Sequence, residues 1–584
     1  MRRGFHAIAL ILLGGFAGPS YAQQSSDLIA PEAATGTGER SVVTAETRMV
    51  AAANPIAAEA GLQVLRAGGT AADAMVVVQT LLGLVEPQSS GLGGGAFALW
   101  YNAETGEITT FDARETAPTA ASADLFLGAD GEPLAFFDAV IGGRSVGVPG
   151  VPRLMETMHE RFGRLEWAAL FEPAIALAEA GFEVSPRLAG LLANEIGRLD
   201  RQSVARNYFF DAEGAPLTVG ARRANPDYAA TLRLLAEQGA DALHEGALAE
   251  AIVTTVQGFA ENPGVLSLDD LADYRVIERE PVCVAYRAHE VCGMGPPSSG
   301  GLTVGQILSI ASHFDLGTLG PDDPMSWRIL ADATRLAFAD RGRYMADADF
   351  VDMPAGLLDA DYMAARARLL DRSDALSTED VTAGEPPWDR AELRLDGLEP
   401  ELPATTHFVI VDDFGNIASV TLTIESAFGS RLMVGGFLLN NQLTDFSFRP
   451  QGEGAAVANR VEPGKRPRSS MAPTIVLTDG APAYALGSPG GATIIPFLAQ
   501  TLVALIDWEM DIQAAISMPR MVHPFGDYVL EVGTPAEEWA EELEAMGYSV
   551  AVRELTSGLQ GIAFTGTGLK GGADPRREGI AVGD

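Results

Sequence analysis

Thr405 and Thr423 carry the most specific chemical signal in the chain. Thr405-Thr406-His407-Phe408-Val409-Ile410-Val411 and the run Ile417 to Ile424 read as strands. Between them, Asp412-Asp413-Phe414-Gly415-Asn416 suits a three-residue hairpin loop, Asp413 to Gly415, with glycine in the left-handed third position. Pairing Asp412 with Asn416 and counting outward sets Thr423 directly opposite Thr405. Opposed side chains lie about 4.5–5.5 Å apart at Cβ, and a period of two puts Thr421, Thr423 and Glu425 on one face. A one-residue slip at a glycine bulge would break this pairing, and threonine favours strands for reasons unrelated to chemistry. A hydroxyl is a poor nucleophile unless a base stands beside it, so the pair gains meaning only if the fold supplies one.

Other chemistries find little support. Lys465 and Lys570 are the only lysines, which leaves Schiff-base chemistry two candidates. There is no CxxC pair and no HExxH run, and His159, His244, His289, His313 and His523 lack ligand spacing, so neither a metal nor a cofactor is expected. Cys283 and Cys292 flank a hairpin, Val282 to Met294, and could face each other as a disulfide in an oxidising compartment. With 40 Lys+Arg against 78 Asp+Glu, the net charge of −38 repels phosphate backbones and anionic membranes, which excludes a nucleic-acid partner.

The elements that must position these residues are legible in part. Ala57 to Arg66 and Ala71 to Val85 carry helical spacing broken by Gly68-Gly69. Gly91-Leu92-Gly93-Gly94-Gly95-Ala96 follows a helix and precedes the strand Phe97 to Tyr101, the reverse of the dinucleotide order, and reads as a tight turn. Gly490-Gly491 lies between an apolar strand, Pro482 to Leu486, and a helix starting near Thr493. Thr382 to Ala404, with Pro386-Pro387, Pro400 and Pro403 among acidic residues, reads as an exposed, flexible linker. At the other end, Arg2-Arg3, an apolar stretch from Ala7 to Phe16 and Pro19-Ser20-Tyr21-Ala22 form a secretory signal, residues 1–22, too short to span a membrane. Its removal deepens the charge from −38 to −40, and no later run of 18 apolar residues offers a membrane anchor. The expected location is periplasmic or secreted.

Several stretches together resemble the γ-glutamyltranspeptidase family: Phe111-Asp112-Ala113-Arg114-Glu115-Thr116-Ala117-Pro118, Pro296-Pro297-Ser298-Ser299-Gly300-Gly301, Thr405-Thr406-His407, Leu438 to Gln442 with Asp445-Phe446-Ser447, Arg466 to Met471, Gly487 to Gly491, and Ala573-Asp574-Pro575-Arg576. The resemblance implies an N-terminal-nucleophile hydrolase, a four-layer αββα sandwich made from a precursor that cuts itself between Ala404 and Thr405. Residues 23–404 would form a large subunit and 405–584 a small one, paired as a heterodimer. Thr405 would then hold nucleophile and base together, because a free α-amino group has a pKa of about 7.7–8.0. His407 is left a structural, hydrogen-bonding part, since that amine already provides a base.

The same resemblance gives Thr423 the orienting of the amine and Gly490 and Gly491 the oxyanion hole, with helix-start amides as donors. Arg114, Ser469 and Ser470 would grip a substrate α-carboxylate, and Glu425, Gln442 and Asp445 its α-ammonium. The activity implied is cleavage of the γ-glutamyl amide of glutathione and related compounds through a Thr405 ester, with transfer to water or to an amino acid or peptide. Glu425 stands where better-known members have asparagine, and Phe448 to Gly464 lacks the tyrosine of their lid. Two rivals remain: an acylase of the same fold acting on another side-chain amide such as glutaryl, and an exported γ-glutamyl-binding protein that turns nothing over.

Overall fold

Every residue of the strands Thr405–Val411 and Ile417–Thr423 is buried, which a strand achieves only when both of its faces are covered. The computed structural model describes residues 34–36, 38–388, 394–397, 404–452 and 454–584, so the signal segment expected at 1–22 lies outside the described residues. Phe408, Ile410, Val420 and Leu422 point outward into a helical layer that includes Pro55–Arg66 and Ala71–Val85. Val409, Val411 and Ile417 point inward onto a second sheet. Thr405, His407, Thr421 and Thr423 share this inward face, because side chains alternate along a strand.

The hairpin sits in the middle of a seven-stranded sheet ordered Ile580–Gly583, Met49–Ala52, Thr405–Val411, Ile417–Thr423, Gly95–Asn102, Glu107–Ala113, Ile277–Arg279. The facing sheet runs Val43–Ala45, Gly568–Ala573, Gln560–Thr565, Ala481–Gly487, Thr474–Thr478, His289–Gly293, Val282–Tyr286. Helices Gly300–Ala311, Ile494–Ile506 and Ile512–Ser517 cover its outer face. Helix, sheet, sheet and helix make the αββα sandwich. No helix among the described residues is long and apolar enough to cross a membrane.

Local chemistry fixes the parts that matter. Gly415 takes φ +82° at the hairpin tip, and Asp412 Oδ1 accepts the N–H groups of Phe414 and Asn416 at 2.9 Å each. The register that follows pairs Thr405 with Thr423 and Val411 with Ile417, as counted from the sequence. Thr70 and Asp73 form a capping box that starts the helix Ala71–Val85, after Gly68 at φ +88° has ended the one before it.

Cys283 and Cys292 pair across the hairpin Val282–Tyr286/His289–Gly293 and are joined by a disulfide. Unreduced, unfolded protein should therefore titrate with no free thiol, and replacing both cysteines by alanine should cost about 2 kcal/mol of stability in a denaturant melt. Two titratable thiols would refute the bridge. Of the expected linker Thr382 to Ala404, the described residues are partly exposed, as at Thr382, Glu385, Pro387 and Asp396, and partly docked. Gly384 N–H donates to Asp340 Oδ1 at 2.9 Å, Gly397 N–H donates to Gly342 O at 3.0 Å, and Asp396 pairs with Arg343 at 2.7 Å. Composition without periodicity signals the lack of a regular element, but it does not reveal docking through single backbone bonds and ion pairs.

Candidate active site

At the open end of the central hairpin, a small pocket is lined by Arg114, Thr405, Thr423, Glu425, Gln442, Asp445, Ser469, Ser470, Met471, Gly491 and Ile494. Nine of the ten residues expected at the site line it; the tenth, Gly490, adjoins Gly491. The Thr405 hydroxyl donates to Thr423 Oγ1 at 3.4 Å. Thr423 Oγ1 accepts the Glu425 N–H at 2.8 Å and donates to the Ala404 carbonyl at 3.1 Å. One hydroxyl thus bridges the Thr405 side chain and the carbonyl of the bond before it. Glu425 has φ +78°, a left-handed conformation that costs a non-glycine residue on the order of 1 kcal/mol and directs its N–H at Thr423.

The charged wall is a buried ion pair. Arg114 Nη2 donates to Asp445 Oδ2, to which Gln442 Nε2 also donates at 2.7 Å. Arg114 is further held by the carbonyls of Pro467 and Arg468, at 3.2 and 3.1 Å. The two groups read from the sequence as separate grips for a carboxylate and an ammonium therefore meet each other. Glu115 lies behind them, fully buried, with neither carboxyl oxygen hydrogen-bonded, and burial pushes its pKa up to about 8. Its Oε2 lies 3.9 Å from Arg114 Nη1, a longer approach than that of Asp445. Asn441 donates to Glu425 Oε2 and accepts the Ser426 N–H at 3.0 Å, so Glu425 is tethered within the pocket.

Gly490 and Gly491 begin the turn into the helix Ile494–Ile506. Gly490 has φ +143°, and a Cβ there would lie 2.9 Å from Thr493 Oγ1 and 3.1 Å from the Phe497 ring, so only glycine fits. The pair sits at the positive end of a thirteen-residue helix. His407 is fully buried, with Nδ1 2.8 Å from Thr421 Oγ1 and its ring against Gly487, the last residue of the facing strand. It bonds across the hairpin and makes no contact with Thr405.

Burial lowers the pKa of His407 to about 3, of His523 to about 3 and of His244 to about 4. The unfolded chain takes up these protons near pH 6.5, while the fold refuses them. Stability from this source is complete above about 6.5 and is lost as pH falls from there toward 4. Melting temperatures between pH 7.5 and 4.5 should decline, and less steeply in His407→Gln. An unchanged slope in that variant would mean that the folded ring is protonated.

Sequence reading missed Asn441 as a tether, Met471 and Ile494 as pocket walls, and Arg577, whose Nη1 donates to the Thr405 carbonyl at 3.3 Å. Asn441 and Met471 lay inside stretches already singled out; Arg577 followed one directly.

Relatives agree along nearly the whole chain. The glutathione hydrolase proenzyme of Bacillus subtilis (strain 168) is 37% identical over 549 residues, 92% of this chain and 91% of that protein. The acylase ACY 1 proenzyme of Pseudomonas sp. (strain SE83) is 36% identical over 563 residues, 94% of this chain and 96% of that one. Among solved structures, cephalosporin acylase from Bacillus halodurans superposes with a TM-score of 0.81 at 27% identity, covering 95% of this chain and 99% of that chain. The model of the gamma-glutamyltranspeptidase family matches residues 57–584, and this chain belongs to that family.

Proposed function

We propose that the protein is an exported precursor, with residues 1–22 removed, that cuts itself between Ala404 and Thr405 and then cleaves the γ-glutamyl amide of glutathione and similar compounds. In the first reaction the Thr405 hydroxyl attacks the Ala404 carbonyl, the peptide nitrogen leaves as the Thr405 amine, and water opens the resulting ester. Thr423, bonded to the Thr405 hydroxyl and to the Ala404 carbonyl oxygen, stands where it can take the hydroxyl proton and deliver it to the departing nitrogen. In the second, the new α-amino group takes the hydroxyl proton of Thr405 while Oγ attacks the γ-carbonyl, then returns that proton to the amide nitrogen, so that the C–N bond breaks and the amine leaves as the γ-glutamyl ester forms. The Gly490-Gly491 amides hold the oxyanion, and the γ-glutamyl ester then passes to water or to an amino acid or peptide.

The observation that carries this reading is the Arg114–Asp445 pair in the same pocket as Thr405 and Thr423. An amino-acid head group has an ammonium and a carboxylate on one carbon. It can enter such a pair by giving its carboxylate to Arg114 and its ammonium to Asp445, leaving no buried charge unmatched. A glutaryl group would satisfy Arg114 and strand Asp445. The acylases among the relatives make this the comparison to run: γ-glutamyl-p-nitroanilide should be cleaved with a kcat/KM at least about a hundredfold above that of the glutaryl analogue. Parity would favour the acylase. A binding protein would stay a single chain on a denaturing gel and release no nitroaniline.

Hydrolysis should dominate transfer at ordinary dipeptide concentrations. Glu425 is tied to Asn441, and Phe448, the one aromatic residue in the stretch 448–464, stacks on Phe126 at 4.6 Å, so that stretch supplies no tyrosine to latch the pocket mouth against water. Glutathione with a fixed dipeptide should yield more free glutamate than γ-glutamyl-dipeptide. A product mixture dominated by transfer would contradict this account of the pocket mouth.

A further inference from the structure

A single buried arginine stands behind both serines of the pocket. Arg341, near the end of the helix Pro324–Tyr344, is 2% exposed. Its Nη2 donates to Ser470 Oγ at 2.9 Å and its Nε donates to Ser299 Oγ at 2.8 Å. The Ser299 hydroxyl donates in turn to the Ser469 carbonyl at 2.7 Å, and the Ser299 N–H reaches the same oxygen at 2.8 Å. Arg468, the residue before the serines, donates from Nη1 to the Arg341 carbonyl at 2.6 Å, which ties the helix end to the serine segment.

The direction of these bonds is forced. A guanidinium has five donors and no acceptor, and a serine hydroxyl has one hydrogen. Ser470 Oγ must therefore be the acceptor toward Arg341, and its hydrogen is left to point elsewhere. Ser469 is in the same state, because its Oγ accepts the Met471 N–H at 3.1 Å. Both serines line the pocket beside Arg114, and each Oγ is engaged by the protein as an acceptor, Ser470 by Arg341 and Ser469 by the Met471 N–H. Without Arg341, Ser470 could rotate and present a lone pair toward the same space, where it would repel an anion.

We propose that Arg341 is a positioning residue that locks the Ser470 hydroxyl as a hydrogen-bond donor toward a substrate carboxylate and, through Ser299, holds the backbone from which the Ser469 hydroxyl is presented. This rests on the reading of Arg114, Ser469 and Ser470 as the carboxylate grip. Arg341 touches no substrate atom itself. It acts by setting the polarity of the Ser470 hydroxyl, with its charge strengthening that donor, and by fixing the Ser469 backbone.

The test is a double-mutant cycle on γ-glutamyl-p-nitroanilide. Arg341→Lys keeps the charge but cannot hold Ser470 and Ser299 together. It should raise KM about tenfold while kcat stays within about threefold. In a Ser470→Ala background, where no hydroxyl remains to orient, the same change should raise KM less than about twofold. An unchanged KM in a folded, self-cleaved Arg341→Lys enzyme, or full additivity with Ser470→Ala, would overturn the proposal. Should Arg341→Lys fail to fold, Ser299→Ala removes the relay alone. It should raise KM about threefold in the wild type and have no effect in Ser469→Ala; equal effects in both would overturn the relay. A wild-type enzyme inert toward γ-glutamyl-p-nitroanilide would instead refute the functional reading on which this rests.

Discussion

Thr405→Ala protein should run as one chain on a denaturing gel and show amide turnover at least about four orders of magnitude below wild type. Wild-type protein should yield two chains, the smaller beginning Thr-Thr-His-Phe. Both losses trace to one oxygen, 3.4 Å from Thr423 Oγ1, which itself donates to the Ala404 carbonyl at 3.1 Å. Removing that oxygen takes away the attacking group in the self-cleavage and in the amide reaction, and nothing else in the pocket replaces it. Thr423→Ala keeps the oxygen but loses the bridge, so it should cut slowly rather than fail. An intact wild-type chain with full activity, or a cleaved Thr405→Ala chain, would end the N-terminal-nucleophile account.

Arg114→Ala should lower kcat/KM for γ-glutamyl substrates by about a hundredfold to a thousandfold, and destabilise the fold as well. The pair with Asp445 is almost fully buried on both sides, so removing one partner strands the other, at a cost of about 3–5 kcal/mol. The two effects separate in combination. Arg114→Gln with Asp445→Asn removes both charges and should recover much of the stability while leaving substrate binding lost. Recovery of KM along with stability would make the pair a structural feature only. Arg114→Lys should fall between, since an ammonium cannot reproduce the forked geometry that also reaches the Pro467 and Arg468 carbonyls.

What could be read from the sequence was set by distance along the chain. Thr405 opposite Thr423 and Cys283 opposite Cys292 follow from tight hairpins, whose loop residues dictate register within a few positions. The helices Pro55–Arg66 and Ala71–Val85 follow from spacing and caps of the same local kind. The family resemblance places Arg114, Gln442, Asp445, Ser469 and Ser470 around Thr405, and all five line the same pocket. It could not give the state of those groups. Arg114 and Asp445 are 331 positions apart, and their pairing depends on how two sheets and three loops close around them. The docking of Gly384 and Gly397 likewise uses backbone groups, which every residue carries and no sequence pattern marks.

If the chain is cut before Thr405, as proposed, the order of strands has a further consequence. In one sheet, Thr405–Val411 and Ile417–Thr423 lie between Met49–Ala52 and Gly95–Asn102; in the other, four small-subunit strands lie between Val43–Ala45 and His289–Gly293. The two products are woven through each other, and neither holds a complete sheet alone. Separation requires opening both sheets at once, so the cut enzyme should dissociate no more readily than it unfolds. Once unfolded, it would have to rebuild these alternating layers as a bimolecular search, which the uncut precursor performs within one molecule. On that proposal, the cut should turn a chain able to refold into one whose lifetime is governed by its unfolding rate. Thr405→Ala protein should recover its melting transition on a second heating scan, and the mature enzyme should not.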